Sequence, residues 1–378
     1  MPEAKLALSD LVGDFVIFRD LNPLDRRLPR FEDAWSEMGL AGPARPRKHE
    51  PAYAQAVAWL LDRAQALARP GVSLAEIFYM GDTALSDGNA FRNLRTAGGW
   101  RGWAFIGAER NEDLSITEQN GVHVANRWSG LADFARWLLE EGASLNAQTA
   151  VIVDIDKTAL GARGRNDAAI DRARTAAMEA LLAEILGAAY DPVVFKQAYN
   201  ELNPAKYHYF TADNQDYLAY ICLMVTGGVY RLDELLAGLA AGRPATFVDF
   251  LAAVEARRLS LPPALCAAHD EVSERVAAGD ATPFKSFRRR EYRETADRMG
   301  ALPDDAPLSQ RLAGEICLTR EVVDLLCWLR DRGCLLLALS DKPDEASIPT
   351  AELAAQGYQP LNRIVTHVIG QEIAGRLP

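Results

Sequence analysis

The residues best suited to chemistry are carboxylates gathered at the ends of apolar runs. Ala150 to Val153 is apolar and β-branched, and it stops at Asp154-Ile155-Asp156-Lys157-Thr158. Residues two apart on a strand face the same way, so Asp154 and Asp156 would emerge side by side. Two anions that close need a cation or a shared proton. A second acidic pair follows the run Ile77 to Met80, in Gly81-Asp82-Thr83-Ala84-Leu85-Ser86-Asp87. A third run, Leu335 to Leu339, ends in Ser340-Asp341-Lys342, and Lys48 lies in the Pro- and Arg-rich loop 42–51. In open α/β sheets, ligands sit outside the carboxyl ends of the strands, where all three polar sets would lie.

The elements that must position these groups read as an α/β protein. Asp14 to Phe18, Ile77 to Met80, Trp103 to Ile106, Ala150 to Val153 and Leu335 to Leu339 read as strands. Apolar residues on both faces of the Asp154 strand predict a buried parallel sheet. Residues 52–68, 131–140, 321–332 and 346–356 read as helices, and Ile364 to Ile369 is a further short apolar run. Strand and helix alternate as in a Rossmann-like parallel sheet flanked by helices. Either Asp14 to Phe18 or Ile364 to Ile369 would supply the third core strand. Between about 165 and 320 the character changes to Ala-, Leu-, Glu- and Arg-rich helix. The expected organisation is therefore 1–160 and 321–378 as α/β core, interrupted by a helical insertion at 161–320.

A chain of 378 residues, 49% hydrophobic and 25% charged, is long enough for two cores. A net charge of −11 argues against broad nucleic-acid binding, which rests on neutralising phosphates. The five cysteines form no C-x-x-C pair and read as buried reduced thiols. The start has no signal-peptide pattern and no run is long enough to span a bilayer, so a cytoplasmic protein is expected.

Singly, each polar set has a plainer use. Gly81-Asp82-Thr83 could cap a helix, Asp87-Gly88 could make a turn, Ser340 could cap, and Lys48 could be a surface lysine. Their joint placement carries more. DIDKT, LLALS, RKHEP and GDTALSD together resemble the four motifs of the haloacid dehalogenase-like (HAD) superfamily of aspartyl-nucleophile phosphatases. The resemblance covers most of the chain outside the helical block. It implies Asp154 as nucleophile, Asp156 as general acid and base, Thr158 as the end of the nucleophile motif, and Ser340 and Lys48 as phosphoryl-binding groups. It implies Mg²⁺ held by Asp154, Asp82 and the carbonyl of Ile155, with Asp87 in support. The presence of the second aspartate points to phosphatase rather than dehalogenase chemistry. The substrate would be a small phosphomonoester.

Four features depart from, or add to, that pattern. The motif order is Lys48, Asp82/Asp87, Asp154/Asp156, Ser340, a circular permutation of the family's order. Lys157 stands where the family usually has Gly, placing a cation next to the carboxylates and keeping open a binding protein without catalysis. Lys342 rivals Lys48 as the phosphate-binding lysine. Arg163 and Arg165, just after DIDKT, are candidates for substrate contact. A nucleic-acid-end phosphatase or a phosphotransferase are the enzyme alternatives. Within the helical block, which would occupy the place of the family's cap, Lys285, Arg288, Arg289, Arg290 and Arg293 read as a solvated basic helix face, or otherwise as an anion-attracting patch. Tyr207, His208 and Tyr209 are a cluster that packs or faces substrate.

Overall fold

A computed structural model describes residues 5–378. Its ten strands are β1 (Lys5–Leu6), β2 (Val16–Ile17), β3 (Glu76–Gly81), β4 (Arg101–Gly107), β5 (Ile116–Gln119), β6 (Val122–Ala125), β7 (Thr149–Asp154), β8 (Leu318–Thr319), β9 (Leu335–Leu339) and β10 (Thr366–Ile369). Seven of them form one sheet in the order β2-β9-β7-β3-β4-β6-β5. Every pair in it is parallel except β5 with β6. The Asp154 strand is thus central, between β9 and β3. Of the two candidate third strands, the Asp14 to Phe18 segment joins this sheet through β2. Ile364 to Ile369 instead contributes β10 to a separate sheet, β1-β10-β8.

Parallel strands need cover on both faces, and the alternation of side chains supplies it. Ile77, Tyr79, Ile152, Leu335 and Leu337 pack on one side with the helix Pro51–Ala68 and Phe91 of the helix Ser86–Gly98. Phe78 and Phe105 face the other side, where their rings lie 5.3 and 5.5 Å from Phe134 of the helix Leu131–Glu140. The edge hairpin β5–β6 turns at Asn120-Gly121, both at positive φ (56° and 76°), as a two-residue hairpin requires.

The contacts divide the chain into two compact units. One takes the chain up to Arg172 together with Thr295–Pro378, the other is Ala173–Glu294. The second is narrower than the expected 161–320, because residues 161–172 and 295–320 group with the first, in which β8 pairs with β10. Among its described residues the second unit contains helices and no strand, built on a core that includes Phe195, Ile221, Phe250 and Val272. Its basic run is solvated only in part: Arg289 and Arg293 are exposed and Arg290 is half-buried, but Lys285 and Arg288 are not. Arg288 is buried and pairs with Asp216 and with Glu291 at 2.6 Å, both of which are also buried. Lys285 is buried as well. Tyr207 donates to Glu201 at 3.0 Å, His208 lies 3.3 Å from Asp213, and Tyr209 is exposed. All five cysteines are free, and no described helix is long and apolar enough to cross a membrane.

In the first unit, the segment after β2 is tied to the loop after β9. Arg19 bonds the Asp341 carboxylate at 2.9 and 3.2 Å, and the Asp20 amide donates to Asp344 at 3.3 Å. Burial, then the nearby Asp20 charge, pushes Asp344 up to about 7. The folded state therefore holds this proton more tightly than the unfolded chain. The group costs stability as pH rises from the ordinary carboxylate range to about 7. Asp344→Asn is expected to gain on the order of 2 kcal/mol over the native chain at pH 8 and nothing at pH 3, by thermal or urea denaturation. An equal difference at both pH values would refute this.

Candidate functional site

Sheet register brings the three polar strand ends to one level. Leu339 is the partner of Asp154, so Ser340 follows immediately on one side. Met80 is the partner of Val153, so Gly81 and Asp82 follow on the other. Ser340 is buried, and its hydroxyl accepts from the Lys342 amide at 3.1 Å.

Lys48 reaches this level from its loop. Its ammonium donates to Asp154 Oδ1 at 2.6 Å and to Asp87 Oδ1 at 2.7 Å, and Lys48 is only 4% exposed. Burial works against its charge, but Asp154 and Asp87 outweigh it and hold the ammonium well above the usual lysine range. The other oxygen of Asp154 accepts from the Thr158 hydroxyl at 3.2 Å. Burial raises the Asp154 carboxyl well above the usual range, with Lys48 opposing and the charges of Asp87 and Asp82 adding to it. Asp82 is raised for the same reasons, burial first and Asp87 next.

Asp87 is the best satisfied of the three. It takes Lys48 and the Tyr79 hydroxyl (3.1 Å) on one oxygen, and the amides of Asp82 (3.1 Å) and Thr83 (2.9 Å) on the other. Burial opposes its ionisation, but Lys48 and these amides hold its carboxyl below the usual range. The turn wraps so closely that a Cβ on Gly81 would lie 2.5 Å from Asp87 Cβ, which explains glycine at that position.

Carboxylate oxygens of Asp82, Asp87 and Asp154 all lie within 4.8 Å of one another, a spacing that suits a metal ion. The donors are all hard oxygens, the kind that Mg²⁺ or Ca²⁺ prefers. Asp87 already takes four hydrogen bonds, whereas each oxygen of Asp82 and Asp154 takes one and keeps a lone pair for a cation. The Ile155 carbonyl is turned into its own loop, accepting the amides of Leu160 (2.9 Å) and Thr158 (3.4 Å). Asp156 is half-buried and pairs with Lys342 Nζ at 3.2 Å. Both rival lysines are therefore present, Lys48 on the first aspartate of the motif and Lys342 on the second.

The two arginines differ. Arg163 bonds Asp82 through Nε and remains partly exposed. Arg165 lies between Glu321 and Glu109, with bonds of 2.7 to 2.9 Å, and so braces the fold rather than facing the carboxylates. Lys157 directs its ammonium at Asp171, 2.9 Å away, with a backbone φ of 63° that favours glycine. Its charge is thus committed to Asp171. Sequence reasoning missed Tyr79, Thr83 and Thr319, whose hydroxyl bonds the Thr158 carbonyl. Tyr79 was within reach, since alternation along β3 puts it on the same face as Gly81.

No protein-family model, curated protein or solved structure matches the chain.

Two substitutions check this geometry. Lys48→Met leaves two buried carboxylates unpaired and is expected to cost about 3–5 kcal/mol in urea unfolding. Adding Asp87→Asn should recover part of that loss, and full native stability of the single variant would sink the account. Lys157→Gly relieves a left-handed backbone at the expense of a half-exposed ion pair worth about 1 kcal/mol or less. It should leave the melting temperature unchanged or raise it, and a clear drop would show the pair to be structural.

Proposed function

We propose that the protein is a Mg²⁺-dependent phosphatase of the HAD type, in permuted motif order, that cleaves a phosphomonoester through the Asp154 carboxylate. The observation that carries this reading is the convergence of Lys48, Asp82 and Asp87 on Asp154, with Ser340 ending the adjacent strand. The charge balance supports it. Asp82, Asp87, Asp154 and Asp156 face Lys48, Lys342 and Arg163, an excess of one negative charge. A divalent cation turns that into one positive charge, matched to an anionic substrate.

Asp82 and Asp154 would hold Mg²⁺ through their carboxylate oxygens, and the ion would supply positive charge against the phosphoryl oxygens. Lys48 holds Asp154 Oδ1 and leaves Oδ2, restrained only by Thr158, to attack phosphorus. As that bond forms, the ester P–O bond breaks and a proton on Asp156 passes to the leaving oxygen. Water then attacks the aspartyl-phosphate, gives its proton to Asp156, and frees Asp154. Lys342 orients Asp156 between the two steps. Ser340 and Lys48 donate to the phosphoryl oxygens as their charge grows. In chain order the helical unit falls between β7 and β9, where the HAD family carries its substrate-selecting cap.

Hydrolysis of p-nitrophenyl phosphate, with Mg²⁺ and after chelation, tests the reading. Activity should require Mg²⁺ and fall by on the order of 10³-fold or more in Asp154→Asn. Turnover that survives either change would rule out this mechanism.

A further inference from the structure

One buried polar group near the site has no use in the account so far. Tyr53 lies in the first turn of the helix Pro51–Ala68, five residues after Lys48. Its ring belongs to the apolar cluster that contains Ile17, Leu21 and Tyr79. It is 1% exposed, and its hydroxyl has no hydrogen-bond partner among the described residues. A buried hydroxyl left alone is destabilising, so an orphan of this kind calls for a partner that binds. The charges that act on it are those of Lys48, Asp341, Asp154 and Arg19. These come from the lysine loop, the loop after β9, the end of β7 and the segment after β2. Burial raises the phenol, so at neutral pH it keeps its proton.

We propose that the Tyr53 hydroxyl is a further donor to the phosphoryl group bound at the Lys48–Asp154 site, outside the four motifs. It rests on the phosphomonoester reading of that site. A neutral O–H facing an anion gives a short, charge-assisted hydrogen bond, and one that strengthens as phosphoryl charge develops. The same contact satisfies the orphan hydroxyl. Tyr53 thereby links the first turn of its helix to substrate, as Lys48 links the preceding loop to the nucleophile.

Tyr53→Phe removes one oxygen and keeps the ring. With p-nitrophenyl phosphate, kcat/KM should fall about 10- to 100-fold, and the inhibition constant of inorganic phosphate should rise about tenfold. The melting temperature should stay equal or rise, because the orphan is gone. Unchanged kcat/KM and phosphate inhibition would overturn the proposal, and a lower melting temperature with unchanged kinetics would assign Tyr53 to the fold alone. If the native chain does not hydrolyse the ester, the phosphatase reading fails by itself. Calorimetric titration of inorganic phosphate into both proteins then decides. Weaker binding by Tyr53→Phe keeps the hydroxyl as an anion donor, whereas equal binding, or none to the native chain, overturns it.

Discussion

The mutual dependence of Lys48 and its two carboxylates is the constraint around which the site is built. Asp82, Asp87 and Asp154 present oxygens within 4.8 Å of one another. Like charges that close, taken out of water, repel by several kcal/mol even at an effective dielectric well above that of dry protein. The Lys48 ammonium relieves this by touching two of the three. Conversely, a buried ammonium without carboxylates would shed its proton. Neither side is stable in its present form without the other. Asp154 and Asp82 nonetheless stay above the usual carboxylate range, first because they are buried and then because neighbouring aspartates add their charge. Three carboxylates beside one ammonium are a group that could hold a cation.

That balance requires placement that loops alone seldom give. The parallel sheet provides it, because register fixes Ser340 and Gly81 next to Asp154 through backbone hydrogen bonds rather than side-chain packing. The Gly-Asp-Thr turn then closes on Asp87 through two backbone amides. Only glycine at 81 allows that approach. Lys48 comes from a segment without regular structure, but the helix that starts at Pro51 anchors its far end and Tyr79 carries the Asp87 it bonds. Strand ends and the turn after β3 thus place the carboxylates, and the long Lys48 side chain reaches two of them.

Much of this was legible in residue order. The strands around 77–80, 150–153 and 335–339 are uninterrupted apolar runs that end in polar residues, and β-structure buried on both faces has that signature. The hairpin of β5 and β6 was not read, although Gln119-Asn120-Gly121-Val122 carries the two-residue turn signal between alternating residues. β1 and β8 are two residues long, too short to show any period. In the basic run at 285–293 the solvated reading holds for Arg289 and Arg293 but fails for Arg288, whose acidic partner Asp216 lies about seventy positions away. Arg165 was placed near the carboxylates by its closeness in sequence to Asp154, and its partners Glu109 and Glu321 are likewise remote. Local pattern reports which groups are buried or polar; it does not report which distant charge each one meets.

Chain order is a weaker constraint on such a site than strand order. The groups on Asp154 come from positions 48, 82, 87 and 158, and Ser340 stands beside it. Nothing in their geometry depends on which is synthesised first. What matters is that β7 lies between β9 and β3, and that a loop delivers an ammonium at the same end of the sheet. Any connection that preserves those two neighbours preserves the field at Asp154. Lys157 follows the same logic. Its ammonium finds Asp171 on the following helix, so the added charge is absorbed locally and the electrostatics of the four aspartates stay under the control of Lys48, Lys342 and Arg163.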